Sequence, residues 1–334
     1  MTGATGGTSI RSLDLSCGGL LQTVEPKAVV DATGDAVVTS LSGAGFEIEN
    51  SARLQRPAFI FSLQGVDPGS VGEEVRMKLA HRWVAAIRAG QLPREALGAM
   101  LRLSGSVVFV TLDLDCSEGF DPTSPVCLEA LRLEGYQLAL LIAAFLKETV
   151  DGFSKSSISA LPSQVGIRES RQMLGRYRME SDDLGIRFDD EVALAAWPME
   201  LRERANGARL RFPANGEPGG IPLRALRSKS MENLFGAGRC LSASHEAQAS
   251  LRVIGTCLAT GEAAGIAAAL LATGRRCEAE AIRDLRKELT VNERESVKME
   301  MGASPKVAGN GDARNGVPTG RDIIPDVPIF SDKF

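Results

Sequence analysis

One histidine in this sequence is a candidate for proton transfer. His245 is one of only two histidines in the chain, and imidazole is the side chain whose ordinary pKa lies closest to neutrality. It follows a turn that carries several polar residues, so we expect it to act as a proton donor or acceptor. The alternative is a structural role, in which its ring bonds the turn after Arg239.

Two arginines are candidates for holding a substrate. Arg168 and Arg171 lie three positions apart in the stretch GIRESR, so on a helix they would share one face. Two guanidinium groups there could hold a carboxylate or a carbonyl by bidentate hydrogen bonds. The alternative is that Arg168, Glu169 and Arg171 form a solvated charge cluster of little energetic consequence.

An apolar segment that ends at a glycine forms the first motif for ligand binding. Residues 28–35 are AVVDATGD, which places Thr33, Gly34 and Asp35 directly after a predicted strand. Glycine allows the backbone to approach a ligand or adopt a positive φ, and ligands of open parallel sheets lie beyond the carboxyl ends of the strands. We therefore predict that these three residues bind a cofactor. The alternative is an ordinary turn whose Asp35 caps the next helix.

A longer glycine-rich segment forms the second motif. It contains NLFGAGRC at 233–240, SASHEA at 242–247, RVIGTC at 252–257 and GEAAG at 261–265. A helix lined with glycine lets a flat cofactor approach, and the free amides at its start, near Arg252 and Gly255, would stabilise negative charge. We predict cofactor contacts from Gly238, Arg239, Arg252 and Gly255.

The alternative for this second motif is that its small residues serve only tight packing of a helix on a sheet. That interpretation leaves a polar cluster unexplained, which we predict to be exposed at the same turn. The cluster consists of Arg239, Ser242, Ser244, His245 and Arg252.

Apolar periodicity predicts the elements that position these motifs. The predicted strands are residues 27–32, 57–66, 106–115 and 233–237, and the predicted helices are residues 73–89, 128–149, 182–195 and 251–272. Because most of these elements lie between the two glycine-rich motifs, the middle of the chain has the character of an insertion.

Composition narrows the classes of function. A chain of 334 residues with 44% hydrophobic content can bury one large core or two. The net charge of -4 and the scattered basic residues argue against nucleic-acid binding.

The longest apolar run, Leu138 to Leu146, is shorter than the roughly 20 residues of a membrane span. The start lacks the pattern of a secretory signal, which favours a cytoplasmic location. Six cysteines without a CxxC pair predict neither a metal site nor a disulfide framework.

Taken in order, these segments resemble the FAD-dependent oxidoreductase family, within the two-dinucleotide-binding flavoprotein group. The likeness covers residues 27–47 and 164–269, including ATGD at 32–35, GIRESR at 166–171 and IPLRAL at 221–226. The resemblance implies FAD as the cofactor and hydride transfer between a small organic substrate and the flavin. His245 would then move a proton beside the hydride step.

The resemblance also implies an α/β fold in which both ends of the chain form a partial FAD-binding Rossmann-like domain around an inserted α+β substrate-side domain. We assign residues 1–47 to the first piece of the FAD-binding domain, 48–215 to the insert and 216–290 to the second piece. Residues 291–334 are rich in Gly, Pro, Asn and Asp, so we expect a flexible tail.

Members of the family begin with a strand and a GxGxxG loop, and the stretch Gly3 to Thr8 has glycines without a preceding strand. We therefore expect one of three situations. A protein partner supplies the missing nucleotide-binding segment at a free sheet edge, or the chain is a truncated product of low activity, or its core binds something other than FAD. The hypothesis from a different class is an inactive remnant that serves as a scaffold or partner-binding subunit.

Overall fold

The computed structural model describes residues 8–116, 118–204, 207–213 and 216–289 and shows a mixed α/β architecture. The strands are β1 Leu13–Cys17, β2 Leu20–Val24, β3 Val29–Asp31, β4 Phe46–Glu47, β5 Ala58–Gln64, β6 Met100–Ser104, β7 Val107–Asp113, β8 Ser157–Ala160, β9 Gln172–Met173, β10 Glu191–Ala195, β11 Met199–Leu201, β12 Arg209–Arg211, β13 Gly219–Pro222 and β14 Leu234–Gly236. The helices are α1 Val37–Leu41, α2 Glu73–Arg88, α3 Pro125–Thr149, α4 Leu223–Leu226, α5 His245–Leu251, α6 Ile254–Ala272 and α7 over residues 279–289. The tail predicted to be flexible, residues 291–334, lies outside the described residues.

The first hydrophobic core lies under an antiparallel sheet of order β6-β7-β5-β8. Strand β5 pairs with β7 in the register Ala58 to Asp113. Helix α3 buries residues three or four positions apart, from Leu131 through Leu138 and Ile142 to Leu146, which is the period of one helix face. This face and α2 cover the apolar side of the sheet, including Phe59.

Gly135 on α3 lies where the helix touches the sheet most closely. A Cβ atom there would lie 2.4 Å from Cδ2 of Phe59 and 3.0 Å from Cδ1 of Leu114. Gly135→Ala is therefore expected to lower the free energy of unfolding by about 1–3 kcal/mol through overpacking, although alanine is the better helix former by about 1 kcal/mol. Urea unfolding followed by circular dichroism measures the change. The control is Gly261→Ala on α6, where no atom lies within 4 Å and alanine should stabilise; equal gains from both changes would contradict the close packing.

The second hydrophobic core lies around the parallel pair β3 and β14, with Val29 opposite Leu234. Both strands are short and mostly buried, as expected for an apolar run covered on two sides. Helix α6 packs beside them through buried small residues such as Ala263 and Ala267. The predicted α/β class is confirmed, whereas the Rossmann-like arrangement and the domain boundaries stay predictions.

The predicted helix over residues 182–195 is wrong. Ser181–Asp183 form a single 3-10 turn, and Gly185 follows with φ +89°, a backbone conformation that ends a right-handed helix. Residues Glu191–Ala195 then form β10, which pairs antiparallel with β13. Pairing with a distant strand outweighs the helical propensity of the Ala- and Leu-rich stretch. The predicted helix over 251–272 is also divided, because Val253 is extended between α5 and α6.

Within the described residues, α6 is the one helix long and apolar enough to cross a bilayer by length and composition. Core helices have the same composition, and 44% of the apolar stretch of α6 is buried inside the fold. The helix is therefore weak evidence for a span, and no clear membrane span emerges.

Candidate functional site

The turn after β3 wraps around the thiol of Cys240. The backbone N–H groups of Gly34 and Ala36 donate to its Sγ over 3.2 and 3.3 Å. Burial, together with the nearby carboxylate of Asp31, raises the pKa of the Cys240 thiol to about 11. The thiol therefore stays protonated at neutral pH and serves as a fixed point for the turn.

Asp31 at the end of β3 holds the same turn through hydrogen bonds to its carboxylate. Its carboxylate is fully buried and accepts hydrogen bonds from Oγ1 of Thr33 and from the N–H and hydroxyl of Thr39, each over 2.7 Å. Burial acts to raise the pKa of Asp31, but the bonds from Thr33 and Thr39 outweigh it and lower that pKa. Asp31 is thus an ionised buried anchor, and the sequence offered no reason to single it out.

The predicted cofactor residues Gly34, Asp35 and Arg239 lie together and contact each other. Nη2 of Arg239 forms an ion pair with Oδ1 of Asp35 over 3.0 Å, and Nη1 donates to the carbonyl of Ile167. The guanidinium passes so close to Gly34 that a Cβ atom there would lie 2.5 Å from Nη2. Glycine is required at position 34 both by this contact and by its φ of +83°.

The alternative in which Asp35 caps the following helix is wrong. The N-cap of α1 is Ala36, with φ 48°, and the N–H groups of the first turn donate instead to Thr33 and Asp31, from Val37 over 3.0 Å and from Thr39 over 2.7 Å. Oδ1 of Asp35 instead accepts from the hydroxyl of Ser170 over 2.6 Å as well as from Arg239. The carboxylate therefore links the β3 turn to the segment that follows residue 166.

Arg168 and Arg171 do not share a helix face, because residues 166–173 form no helix. Gly166 bridges to Ala58 of β5, and β9 begins at residue 172. Arg171 supports the β3 turn, with Nε donating to the carbonyl of Asp35 over 2.8 Å and its guanidinium 5.6 Å from the ring centroid of Phe46. Arg168 points into a separate, buried network, so the solvated charge cluster is also wrong.

That network is centred on Asp113, which is 1% exposed at the end of β7. Its Oδ2 accepts from Nη1 of Arg202 over 2.8 Å, and its Oδ1 lies 2.9 Å from Nη2 of Arg168 in an ion pair that lacks hydrogen-bond geometry. Arg56 donates to the Asp113 carbonyl over 3.3 Å. Arg202 also pairs with Glu200 over 2.6 Å. The buried carboxylate of Asp113 thus holds two guanidinium groups, those of Arg168 and Arg202, and its backbone carbonyl holds a third, that of Arg56.

Arg252 extends the network to the start of α6. It donates from Nε to Oε1 of Gln55 over 3.2 Å and from Nη2 to the carbonyl of Glu200 over 3.1 Å. Burial and the neighbouring charge of Arg168 lower the pKa of Arg252 to about 10. The side chain therefore remains a cation at neutral pH, two residues before the helix begins.

His245 is buried between two carboxylates. It is 2% exposed, with Nδ1 2.8 Å from Oε2 of Glu169 and Nε2 3.1 Å from Oε1 of Glu203. Burial acts to lower the pKa of His245, but the two carboxylates outweigh it and raise that pKa. The ring does not bond the turn after Arg239; it forms a clamp of Glu169, His245 and Glu203, hereafter the histidine clamp.

The other polar residues of this turn are not the exposed cluster predicted from the sequence. Ser242 and Ser244 are buried with His245, and Arg239 and Arg252 are partly covered. The hydroxyl of Ser244 accepts from the N–H of Ala247 over 3.3 Å and so caps α5. These side chains build the turn rather than face solvent.

The first turn of α6, in contrast, is open. No side chain caps it, and no atom lies within 4 Å of the position a Cβ would take at Gly255. Ile254 and Leu258 are 80% and 70% exposed. Gly238 lies beside the second turn, with its N–H donating to Oγ1 of Thr260 over 3.1 Å. Free amides, a positive helix end and exposed apolar side chains here suit a flat, electron-rich ring.

Two pockets meet at the histidine clamp. The first, of about 290 Å³, is lined by Glu47, Glu49, Glu169, Gln172, Arg178 and His245. The second, of about 380 Å³, is lined by Arg56, Arg94, Glu95, Leu97, Asp115, Glu203 and Arg204. The clamp therefore lies between two spaces that a small molecule could enter.

Comparison with known proteins gave one match. The model of the family described as FAD dependent oxidoreductase matches residues 2–289, which include both glycine-rich motifs and the stretch GIRESR. No curated protein and no solved structure matches the chain.

Proposed function

The chain belongs to the FAD dependent oxidoreductase family, and from this premise we propose that it transfers a hydride between a small organic substrate and FAD. The family implies FAD as cofactor and a flavin-dependent oxidoreduction as the general activity. Bound FAD supplies the group that accepts or releases the hydride. The open first turn of α6 is the observation that carries the proposal.

The residues at this turn fit a flavin. Amide groups without a capping side chain and the positive end of a 19-residue helix favour an electron-rich ring edge. The missing Cβ at Gly255 leaves room for a ring face, and the exposed side chains of Ile254 and Leu258 supply apolar contact. Arg252 adds a positive charge just before the helix.

We place the remaining cofactor contacts at the carboxyl ends of β3 and β14. Thr33, Gly34 and Asp35 follow β3, and Gly238 and Arg239 follow β14; because the two strands are parallel, both turns lie at one edge of the sheet. Asp35 and Arg239 neutralise each other, so in this proposal they fix the spacing of the two turns rather than add net charge.

The diphosphate of FAD needs further donors, which a GxGxxG strand, loop and helix would supply. Within the described residues β3 pairs only with β14, which leaves its other edge available for such a strand. We propose that a segment docked at this edge, from a partner, completes the site. FAD titrations with and without a separately produced GxGxxG segment test this: tighter binding with the segment supports it, and equal binding contradicts it.

We assign proton handling to the histidine clamp. His245 touches carboxylates on both sides, so it can pass a proton between Glu169, which lines the first pocket, and Glu203, which lines the second. Arg168 stays a positioning residue in this proposal, since its guanidinium is bound to Asp113, and Arg171 likewise supports the β3 turn.

A leucine at position 255 tests the cofactor site without disturbing the fold. Gly255→Leu would place a side chain in the open space at the α6 start, where leucine is also a better helix former than glycine. We expect FAD affinity to fall at least about tenfold, equivalent to about 1.4 kcal/mol, while thermal stability is kept. Quenching of flavin fluorescence during titration measures the affinity.

The matched control is Gly265→Leu, which lies about 15 Å further along α6 at 1.5 Å per residue and also meets no atom within 4 Å. Equal FAD affinity in the two variants would contradict the placement of the flavin. If the unchanged chain binds no FAD at saturation, with or without the added segment, the scaffold hypothesis takes the place of the enzyme.

A further inference from the structure

We infer that the pocket of about 380 Å³ beside Glu203 binds the carboxylate of a small organic molecule through Arg94 and Arg204. Binding of a carboxylate in this pocket does not depend on the proposed function. Only the identification of the bound molecule as the substrate rests on that function. The pocket volume lies in the range of small-molecule sites, which run from about 300 to 1,000 Å³.

Three of the charged residues in this pocket, Arg56, Asp115 and Glu203, are already paired. Arg56 bonds the carbonyl of Asp113 over 3.3 Å and forms an ion pair with Asp115 over 2.8 Å. Glu203 contacts Nε2 of His245 over 3.1 Å and lies 3.4 Å from Nη2 of Arg209. These side chains line the pocket, but their charges are neutralised by partners within the protein.

Three other lining groups have no such compensation. Arg94 and Arg204 are exposed, and neither side chain forms an ion pair or hydrogen bond within the described part of the chain. The same holds for Glu95. The uncompensated groups therefore comprise two cations and one anion, a surplus of one positive charge that an anionic ligand would neutralise.

The lining favours a carboxylate over a phosphate. A guanidinium group holds a carboxylate through two parallel hydrogen bonds. Glu95 is the uncompensated anion of the lining and would repel the second negative charge of a phosphate dianion, whereas a monoanion matches the surplus of one positive charge. Leu97 supplies an apolar wall for the rest of the molecule.

The position of the pocket connects it to proton handling. Glu203 lies in its wall and bonds His245, so a carboxylate held by Arg94 and Arg204 would lie beside the histidine clamp. Arg168 and Arg171, the arginines predicted for this task, have their guanidinium groups engaged elsewhere, by Asp113 and by the β3 turn. Within this pocket, the guanidinium groups of Arg94 and Arg204 are the ones without a partner among the described residues.

Benzoate tests the inference, with benzamide as its uncharged isostere. Isothermal titration of the full chain is expected to show benzoate binding at least tenfold tighter than benzamide. Arg94→Gln and Arg204→Gln should each weaken benzoate binding about three- to tenfold, and the double variant should abolish it. Added salt should weaken it as well, because the pocket is open to solvent.

The matched control is Arg275→Gln, which removes an exposed arginine after α6 that has no bonded side-chain partner within the described residues; circular dichroism confirms that each variant is folded. Equal affinity for benzoate and benzamide, or an unchanged affinity in the folded double variant, overturns the inference. Because the titrations need no FAD, failure to bind FAD would refute the proposed function and leave the result for the pocket independent.

Discussion

Replacement of Asp113 by asparagine is expected to lower the free energy of unfolding by about 3–5 kcal/mol, the typical cost of breaking a buried ion pair from one side. The carboxylate is buried and faces both Arg168 and Arg202. Asparagine keeps the size of the side chain but removes the negative charge. The guanidinium of Arg168 would then remain in the interior without its partner, which is more costly than the loss of one hydrogen bond. Urea unfolding measures the change through the transition midpoint.

Asp284→Asn is the control for Asp113→Asn. Asp284 forms an exposed pair with Lys287 over 3.3 Å, and such surface pairs contribute about 0–1 kcal/mol. The slope of the free energy of unfolding against urea concentration should be the same in both variants as in the unchanged protein. An equal slope would show that the variants change stability and not the compactness of the unfolded state. If Asp113→Asn costs no more than Asp284→Asn, the ion pairs of Asp113 with Arg168 and Arg202 do not stabilise the fold.

His245→Gln is expected to cost about 2–4 kcal/mol near pH 6, since it leaves Glu169 buried without its cationic partner. The cost should shrink at alkaline pH. The folded-state pKa of His245 is raised above its ordinary value of 6.5 by Glu169 and Glu203, against the effect of burial. The stability that the imidazolium contributes is therefore fully present below pH 6.5 and is lost as pH rises through the raised pKa.

Urea unfolding midpoints of the unchanged protein and of His245→Gln, measured between pH 5 and about pH 9, test how the stability difference depends on pH. The control is His81→Gln, which removes the only other histidine. His81 is exposed on α2, where its Nδ1 lies 3.1 Å from the carbonyl of Met77, so its replacement removes no buried charge pair. A stability difference between the unchanged protein and His245→Gln that grows with rising pH would show that the ring is neutral in the fold.

Much of the secondary structure could be predicted because its signals are local. The run around Val29 and Val30 is apolar on both faces, and α3 repeats its buried residues at helical spacing, so each element is visible in a short window. The segment after Gly185 could not be predicted in this way. Whether Glu191–Ala195 becomes a helix or a strand depends on β13, which lies beyond any local window.

The candidate site was predicted as a set of residue types rather than as contacts. The glycine motifs singled out Gly34, Asp35 and Arg239, which the structure places in contact with one another, while their binding of a cofactor stays a prediction. The motifs could not show that Glu203, 42 positions before His245, completes the histidine clamp. Nor could they show that Arg94, the first residue of a 3-10 turn, and Arg204 line one pocket, because the two residues are 110 positions apart and no local pattern relates them.

The contact between the β3 turn and Cys240 also bears on how the chain folds. Asp31 and the Cys240 thiol are 209 positions apart in the sequence. The second core therefore cannot form from contacts between residues that are close in sequence. Closing a loop of that length in a flexible chain costs about 5 kcal/mol of conformational entropy. Prior folding of the sheet and α3 in between shortens the distance that must be closed. We therefore expect the edge of the sheet where β3 and β14 end to be the last region to assemble, with a slow folding rate because its contacts join residues so distant in sequence. A ligand that binds only the closed form then stabilises the late step by mass action, which would make FAD a participant in the maturation of this protein as well as in its chemistry.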